Sequence, residues 1–486
     1  MVDDLTWAHK AFERPTLKSH YRVCVRYYDG VTPMAYATDK FRSVFFQVFG
    51  QYRENLCAPV VDSLRDRLKV LGFRSNQAEM SGESNTSPLG VQFQTTKLQD
   101  DEAERAWDIW TENRMDLRSV EVHEESLKCG DGYLIVWPRD DGYPELVSQY
   151  ADEMRVQYAS NNSKEITRAS KMWWDEDEEY LRLNIYTPLE IKKYASRREH
   201  STELPSNPDG WRTYEAPIPN PYNRVPVFHF PNKNEGTYGT SEIREVIHIQ
   251  DGLNKSVIDM LVAMEFAAYK QRYAVGYEVE LDPDTGEPVD QNAKNYGADR
   301  MMAFPDPDSK VGQFDATDLT QFLKVQDKFW QAASRVSGTP LHYFFITQGD
   351  FPSGEAIKSA EGRFITKIGN RQTANGNIWE DAVKFAMKIE GGVADDLVLN
   401  TLWKDATPRS EAELADTAVK KKAVGVPRSQ ILRELGYSEE EIVNMIAESD
   451  SEQLVKMERE AELAQQMNPE PTGDQGRSRQ GVPGGG

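Results

Sequence analysis

The segment Ser241-Glu-Ile-Arg-Glu-Val-Ile-His-Ile-Gln-Asp-Gly-Leu-Asn-Lys-Ser-Val-Ile-Asp-Met-Leu-Val-Ala-Met-Glu-Phe-Ala-Ala-Tyr-Lys-Gln-Arg272 organises the rest of the chain around it. Its Ile243, Val246, Ile247, Leu253, Val257, Ile258, Leu261 and Met264 recur at three- and four-residue steps, the apolar stripe of a helix. Over about 30 residues at ~1.5 Å each, this is a rod of roughly 45 Å. Ser241 reads as its cap, with Glu242 and Glu245 in the first turn, where the helix dipole favours acid. The pattern stops at Tyr273. Val275-Gly-Tyr-Glu-Val-Glu-Leu281 followed by Asp282-Pro-Asp-Thr-Gly286 reads as strand and hairpin turn. Helix resumes from Asp318 to about Val336, with Leu319, Phe322, Leu323, Phe329, Trp330, Ala333 and Val336 on one side. Two helices thus bracket a small α/β excursion.

Downstream lies Gly338-Thr-Pro-Leu-His-Tyr-Phe-Phe-Ile-Thr-Gln-Gly-Asp-Phe-Pro-Ser353, a loop of a length that is usually functional inside a folded body. Its Leu341, His342, Tyr343, Phe344, Phe345 and Ile346 admit two readings. They pack into the subunit's own core, or they are presented to a partner or ligand with Gly338 and Gly349 as hinges. Ser353 opens a long helix to about Glu390 that contains Gly362, Gly369 and Gly376. Each glycine costs about 1 kcal/mol against alanine in a helix, so the three mark a bend or a close helix contact. A strand from Leu397 to Trp403 follows, then helices from Glu411 to Val424, from Arg428 to Leu435, and from the capping box Ser438-Glu-Glu-Glu441 toward Gln466. From Asn468 the Pro- and Gly-rich tail reads as disordered.

Upstream, Asn55 to Val70 has the periodicity of an amphipathic helix. Ser75 to Pro88 lacks aromatics and reads as a mobile loop. A helix from about Asp100 to Lys128 is stopped by Cys129-Gly-Asp-Gly132, and Tyr133-Leu-Ile-Val-Trp137 begins a strand. Short β-like runs then continue to Phe230, as in a meander of antiparallel strands. Pro231-Asn-Lys-Asn-Glu-Gly236 reads as an exit loop and domain boundary.

At 486 residues the chain has room for about three structural units. Lys plus Arg number 57 against 79 Asp plus Glu, a net charge of −22, which disfavours a strongly attracting, sequence-reading DNA binder. Three scattered cysteines, Cys24, Cys57 and Cys129, fit neither a disulfide framework nor a thiolate zinc cluster and point to a reducing compartment. The first residues carry acid where a secretory signal needs base, and no apolar run approaches the ~20 residues that span a bilayer. The expectation is a soluble, intracellular protein.

Chemical motifs are mostly missing. There is no Gly-x-x-x-x-Gly-Lys-Ser/Thr phosphate loop, and His123-Glu-Glu-Ser lacks the second histidine of a zinc-binding helix. Asp282 to Glu287 departs from a calcium loop, with Ala293 where the bidentate Glu belongs. The run Asp175-Glu-Asp-Glu-Glu179 reads as a solvated turn or, on the rival reading, as cation ligands of a metal-dependent hydrolase. No Gly-x-Ser-x-Gly elbow is present. No catalytic residue, metal or cofactor is assigned.

The order of these elements, an α/β body, long helix, small excursion, returning helix, apolar loop, glycine-containing helix and helical C-terminus, resembles the portal protein of tailed double-stranded DNA bacteriophages, in the branch of actinobacterial siphophages. Resembling stretches are Asn55-Leu-Cys-Ala-Pro-Val-Val-Asp-Ser-Leu64, Arg67-Leu-Lys-Val-Leu-Gly-Phe73, His123 through Pro138, Pro226-Val-Phe-His-Phe230, Gly239-Thr-Ser-Glu-Ile243, Gln250-Asp-Gly-Leu-Asn-Lys255 and Pro352-Ser-Gly-Glu-Ala356.

The resemblance implies an α+β, helix-rich subunit. Residues 1–235 would be a wing, 236–272 and 318–337 two stem helices, 273–317 a small α/β clip and 338–352 a tunnel loop facing DNA. Residues 353–408 would be a long wing helix and strand, 409–467 a crown and 468–486 a disordered tail. It further implies a ring, typically of twelve subunits, at one capsid vertex, with the major capsid protein, the terminase large subunit and head-completion or adaptor proteins as partners. Double-stranded DNA would pass through without sequence-specific binding, and no membrane is involved. Under this reading acidity becomes consistent with function, because a conduit with few phosphate contacts lets DNA slide, and the aromatic loop is read as exposed. Another virion structural or adaptor protein is the remaining alternative.

Overall fold

The computed structural model describes residues 3–33, 36, 43, 52–77, 79–86, 92–160, 162–233, 236–268, 272–275, 283–285, 308, 310–313, 319–344, 354–394, 396–407, 411–437 and 439–467. Two helices open it, α1 (Asp4–Phe12) and α2 (Pro15–Tyr28), the second starting on a proline whose missing N–H is harmless in a first turn. α3 (Cys57–Arg65) is shorter than the Asn55–Val70 helix expected from periodicity. Its expected end is taken by strand β1 (Val70–Ser75), whose apolar residues find a ladder partner far along the chain.

The expected Ser75–Pro88 loop is corrected to a hairpin. β2 (Glu79–Thr86) pairs antiparallel with β3 (Gln92–Gln99), from Glu79 opposite Gln99 to Thr86 opposite Gln92. An antiparallel ladder is made of main-chain groups, so a polar sequence conceals it. The single helix expected over Asp100–Lys128 is two, α4 (Asp101–Glu112) and α5 (Met115–Cys129). Between them Arg114 takes a left-handed φ of 53°, which ends a helix, and the Asn113 amide donates to the carbonyls of Ile109 (2.9 Å) and Pro144 (3.0 Å).

β4 (Asp131–Pro138) and β5 (Pro144–Gln149) follow as the sequence reading expects. Then comes the meander β6 (Met154–Ala159), β7 (Asn162–Asp175), β8 (Tyr180–Tyr186), β9 (Glu190–Ser196) and β10 (Trp211–Pro219), a five-stranded sheet in the order β10-β9-β8-β7-β6. β11 (Val227–Pro231) completes a second sheet in the order β11-β4-β5.

The helix read from Ser241 begins instead at Ile247, as α6 (Ile247–Ala268). Ser241 is not its cap, because its hydroxyl donates to the Lys128 carbonyl (2.6 Å) and accepts from the Ile243 N–H (3.2 Å); the hydroxyl is engaged before the helix starts. β12 (Arg272–Val275) pairs antiparallel with β13 (Lys310–Gln313). Most of the excursion between them lies outside the described residues. α7 (Thr320–Ser337), α8 (Gly354–Glu390), β14 (Leu399–Trp403), α9 (Glu411–Ala423), α10 (Arg428–Leu435) and α11 (Glu439–Met467) close the series. The chain is helix-rich α+β. Among the described residues no helix is long and apolar enough to cross a membrane.

Two compact units form. The first is Met1–Asp66, Glu121–Leu134 and Ser148–Lys367; the second is Arg67–Val120, Ile135–Val147 and Ile368–Gly486. Residues on both sides of Pro231–Gly236 fall in the first. There α1 lies on the meander, burying Ala8 and Phe12 against Leu181, Leu183, Ile185 and Trp211; each such large side chain contributes about 1.5–3 kcal/mol by leaving water. In the second, Trp110 meets Trp379 edge-on at 5.0 Å and Phe73 at 5.6 Å, geometry that the aromatic quadrupole favours.

Candidate functional site

α6 and α7 run side by side. Gly252 lies against Phe329, where an added Cβ would stand 2.7 Å from Cε1, and the Gln326 amide reaches the Met260 sulfur at 3.7 Å. Residue numbers rise on one helix as they fall on the other, so the pair is antiparallel, and Gly252 permits the approach. Leu253, Val257, Ile258 and Ala333 are buried. Of the α7 side chains expected on one face, Leu323 and Val336 stand 53% and 42% exposed, and Met264 of α6 is 45% exposed.

The start of α6 is held by polar side chains that point inward. The Gln250 side chain accepts from the Leu56 N–H and donates to the Glu54 carbonyl. Asn254 accepts from the Glu54 N–H (3.1 Å) and donates to the Thr32 hydroxyl (2.9 Å). The Tyr27 hydroxyl donates to Asp251 at 2.6 Å, whose carboxyl is pushed above its ordinary pKa by burial. The Trp330 indole of α7 donates to Glu54 at 2.7 Å, and burial also raises the Glu54 pKa. Farther along α6, Lys255 pairs with Asp259 one turn on.

At the end of α7, Gly338 takes the left-handed φ of +72° that closes a helix. The loop then turns through a short 3-10 segment, Leu341–Tyr343. His342 Nε2 and the Tyr343 hydroxyl both lie within reach of one buried carboxylate oxygen of Glu361, at 3.2 and 3.1 Å, and the Tyr343 ring packs 5.6 Å from Phe364. Leu341, Tyr343 and Phe344 are half-buried and His342 is exposed. Phe345, Ile346 and Gly349 lie outside the described residues. Lys367 ties the same region down, donating to the Ser337 carbonyl (2.9 Å) and pairing with buried Glu242 (2.7 Å), which Lys233 also meets. Gly362, Gly369 and Gly376 sit within the single α8 helix. Nothing lies within 4 Å of a Cβ built on Gly362 or Gly369, whereas one on Gly376 would be 3.2 Å from the Trp403 indole nitrogen.

Sequence reasoning missed a second cluster. Asp131, fully buried, accepts from the Tyr21 hydroxyl (2.6 Å), the Gly239 N–H (2.7 Å) and His229 Nε2 (2.7 Å), while His229 Nδ1 meets the Tyr158 hydroxyl (2.8 Å). This node explains why Gly-Asp-Gly, Phe-His-Phe and Gly-Thr-Ser occur where they do. A Cβ on Gly239 would stand 2.1 Å from the Gly130 oxygen, and one on Gly132 2.5 Å from the Val122 oxygen. The only sequence signal was polar residues interrupting apolar runs. The Asp175–Glu179 run is spent on internal contacts: Asp175 accepts from the Glu178 and Asp177 N–H groups and from Arg182, which also holds Glu178. The Glu178 N–H first, and Arg182 beside it, hold the Asp175 carboxyl below its usual range. Among the described residues no acidic or thiol cluster has the arrangement of a metal site.

The profile of phage portal proteins of the SPP1 Gp6-like type matches residues 85–467. The chain is 26% identical over 398 residues to the portal protein of Mycobacterium phage D29, and 26% over 401 residues to that of Mycobacterium phage L5, each match covering 78% of this chain and 75% of the relative. Among solved structures it resembles the neck of a native gene transfer agent particle computed with C12 symmetry, with TM-score 0.41 and 13% identity over 81% of this chain and 92% of that one. For the neck of the empty particle computed with C6 symmetry, the TM-score is 0.44 and the identity 12%, over 83% and 94% of the two chains. The chain belongs to the family of SPP1 Gp6-like phage portal proteins. It is a structural component of the virion, not an enzyme.

Proposed function

We propose that this portal subunit closes with copies of itself into a ring, of twelve subunits, around a channel for double-stranded DNA at one capsid vertex. Assembly takes place in the host cytoplasm. The reading is carried by the family to which the chain belongs, and the α6–α7 pair suits it: a single chain leaves Leu323, Val336 and Met264 in water, where a neighbouring subunit can cover them. A head-to-tail contact repeated around a closed rotation covers such surfaces on every subunit without leaving an open end. On this proposal residues 1–235 and 353–408 form the wing, 236–272 and 318–337 the stem, 273–317 the clip, 338–352 the tunnel loop and 409–467 the crown. The major capsid protein, the terminase large subunit and head-completion or adaptor proteins dock on the ring, and DNA passes without base recognition. A net charge of −22 suits passage, since each added phosphate contact would hold the duplex. Electron microscopy of the purified protein is expected to show rings with a central hole. Compact monomers persisting at high concentration would refute the proposal.

A further inference from the structure

We propose that the cleft beside α1 and the outer edge of β6 binds an extended, Asp/Glu-rich segment of a partner protein. β6 is the terminal strand of the order β10-β9-β8-β7-β6, so among the described residues one of its edges carries no strand. A terminal edge offers main-chain groups to an incoming extended chain. The cleft at this edge has a volume of about 840 Å³ and is lined by consecutive residues 156–160 together with Trp7, Lys10 and Arg14, within the ~300–1,000 Å³ range of ligand clefts.

Charge selects the ligand. In a chain of net charge −22, no acidic side chain among the described residues lines this cleft. Lys10 and Arg14 are both exposed, and among the described residues neither has an ion-pair partner. The third cation of the lining, Arg168, is already engaged: Asp4 and Gln157 hold it at 2.8 Å each, and its guanidinium lies 4.6 Å over the Trp7 ring. It therefore positions Trp7 as a flat apolar wall while Lys10 and Arg14 remain to meet carboxylates. The Val156 carbonyl already receives the Tyr238 hydroxyl at 3.4 Å, which leaves the part of the edge beyond it for a partner's backbone. The Tyr158 hydroxyl is committed to His229 and forms a fixed floor.

The test uses the full-length protein and a short fluorescein-labelled peptide of alternating Glu and Val, followed by fluorescence anisotropy at low salt. The peptide is expected to bind, to weaken as salt is raised, and to lose at least about tenfold in affinity against Lys10→Glu/Arg14→Glu. Both replaced side chains are exposed, so the thermal melt of the variant should match the parent. Failure of the peptide to bind, or equal affinity for the double variant, would overturn the proposal. So would an alternating Lys/Val peptide binding as well, or a single-stranded oligonucleotide binding more tightly and losing affinity in the same variant, which would make the cleft a nucleic-acid site. None of these readings depends on ring formation, so the result stands apart from the portal assignment.

Discussion

Tyr27 and Asp251 show how one residue pair anchors a long helix. The carboxyl is partly desolvated and its pKa raised, so folding favours its neutral form. The stability it contributes is present in acid and lost as pH rises through its elevated value. Asp251→Asn keeps an acceptor for the Tyr27 hydroxyl and removes the titration. Its urea midpoint should therefore fall less than the parent's as pH is raised above the ordinary carboxylate range, whereas an identical pH profile would show that Asp251 is not the group concerned. Tyr27→Phe leaves the carboxylate without its donor and should cost about 1–3 kcal/mol by urea unfolding. At Gly239 the obstacle is backbone, with the Gly130 oxygen 2.1 Å and the Asn232 oxygen 2.5 Å from an added Cβ. Neither can swing aside as a side chain does, so Gly239→Ala should destabilise by about 3 kcal/mol or more, read as a lowered melting temperature.

Among the elements, the loop after α7 carries the sharpest expectation. Its first turn meets α8 through His342 and Tyr343 at Glu361 and through Tyr343 at Phe364. With Tyr343 replaced, His342 still reaches Glu361 and Lys367 still ties α8 to the Ser337 carbonyl at the end of α7, so the flanking helices can hold their shape. Replacing Tyr343, Phe344 and Phe345 together by serine is expected to leave ring assembly intact and to impair DNA packaging or retention in particles. Loss of folding, seen as a collapsed circular dichroism melt, would instead place these rings in the subunit's own core. The helix pair α6 and α7 behaves differently, because Leu323, Val336 and Met264 already stand in water within one subunit.

For the molecule as a whole, on the ring proposal, that exposure separates folding from assembly. Leu323→Glu/Val336→Lys should change single-subunit stability by no more than about 0.5 kcal/mol per site, as surface replacements usually do. The same variant should shift sedimentation from a ring to a monomer. A ring that sediments unchanged would mean that other surfaces close it. The acidic balance of the chain acts at the same scale, opposing phosphate contacts that would arrest a moving duplex.

Periodicity along the chain was enough for α7, α8, the C-terminal helices and the β6–β10 meander, because helical stripes and turn residues are local properties. The order of these elements carried the family resemblance as well. It did not reveal the β2–β3 hairpin, whose main-chain pairing leaves no apolar pattern, nor the break at Arg114. The footing of α6 and the Asp131 node were equally hidden, since Tyr27 meets Asp251 across 224 positions and Leu56 meets Gln250 across 194. Polar side chains facing inward become intelligible only when the fold brings their distant donors and acceptors together, since burial without those partners would cost more than the contact returns.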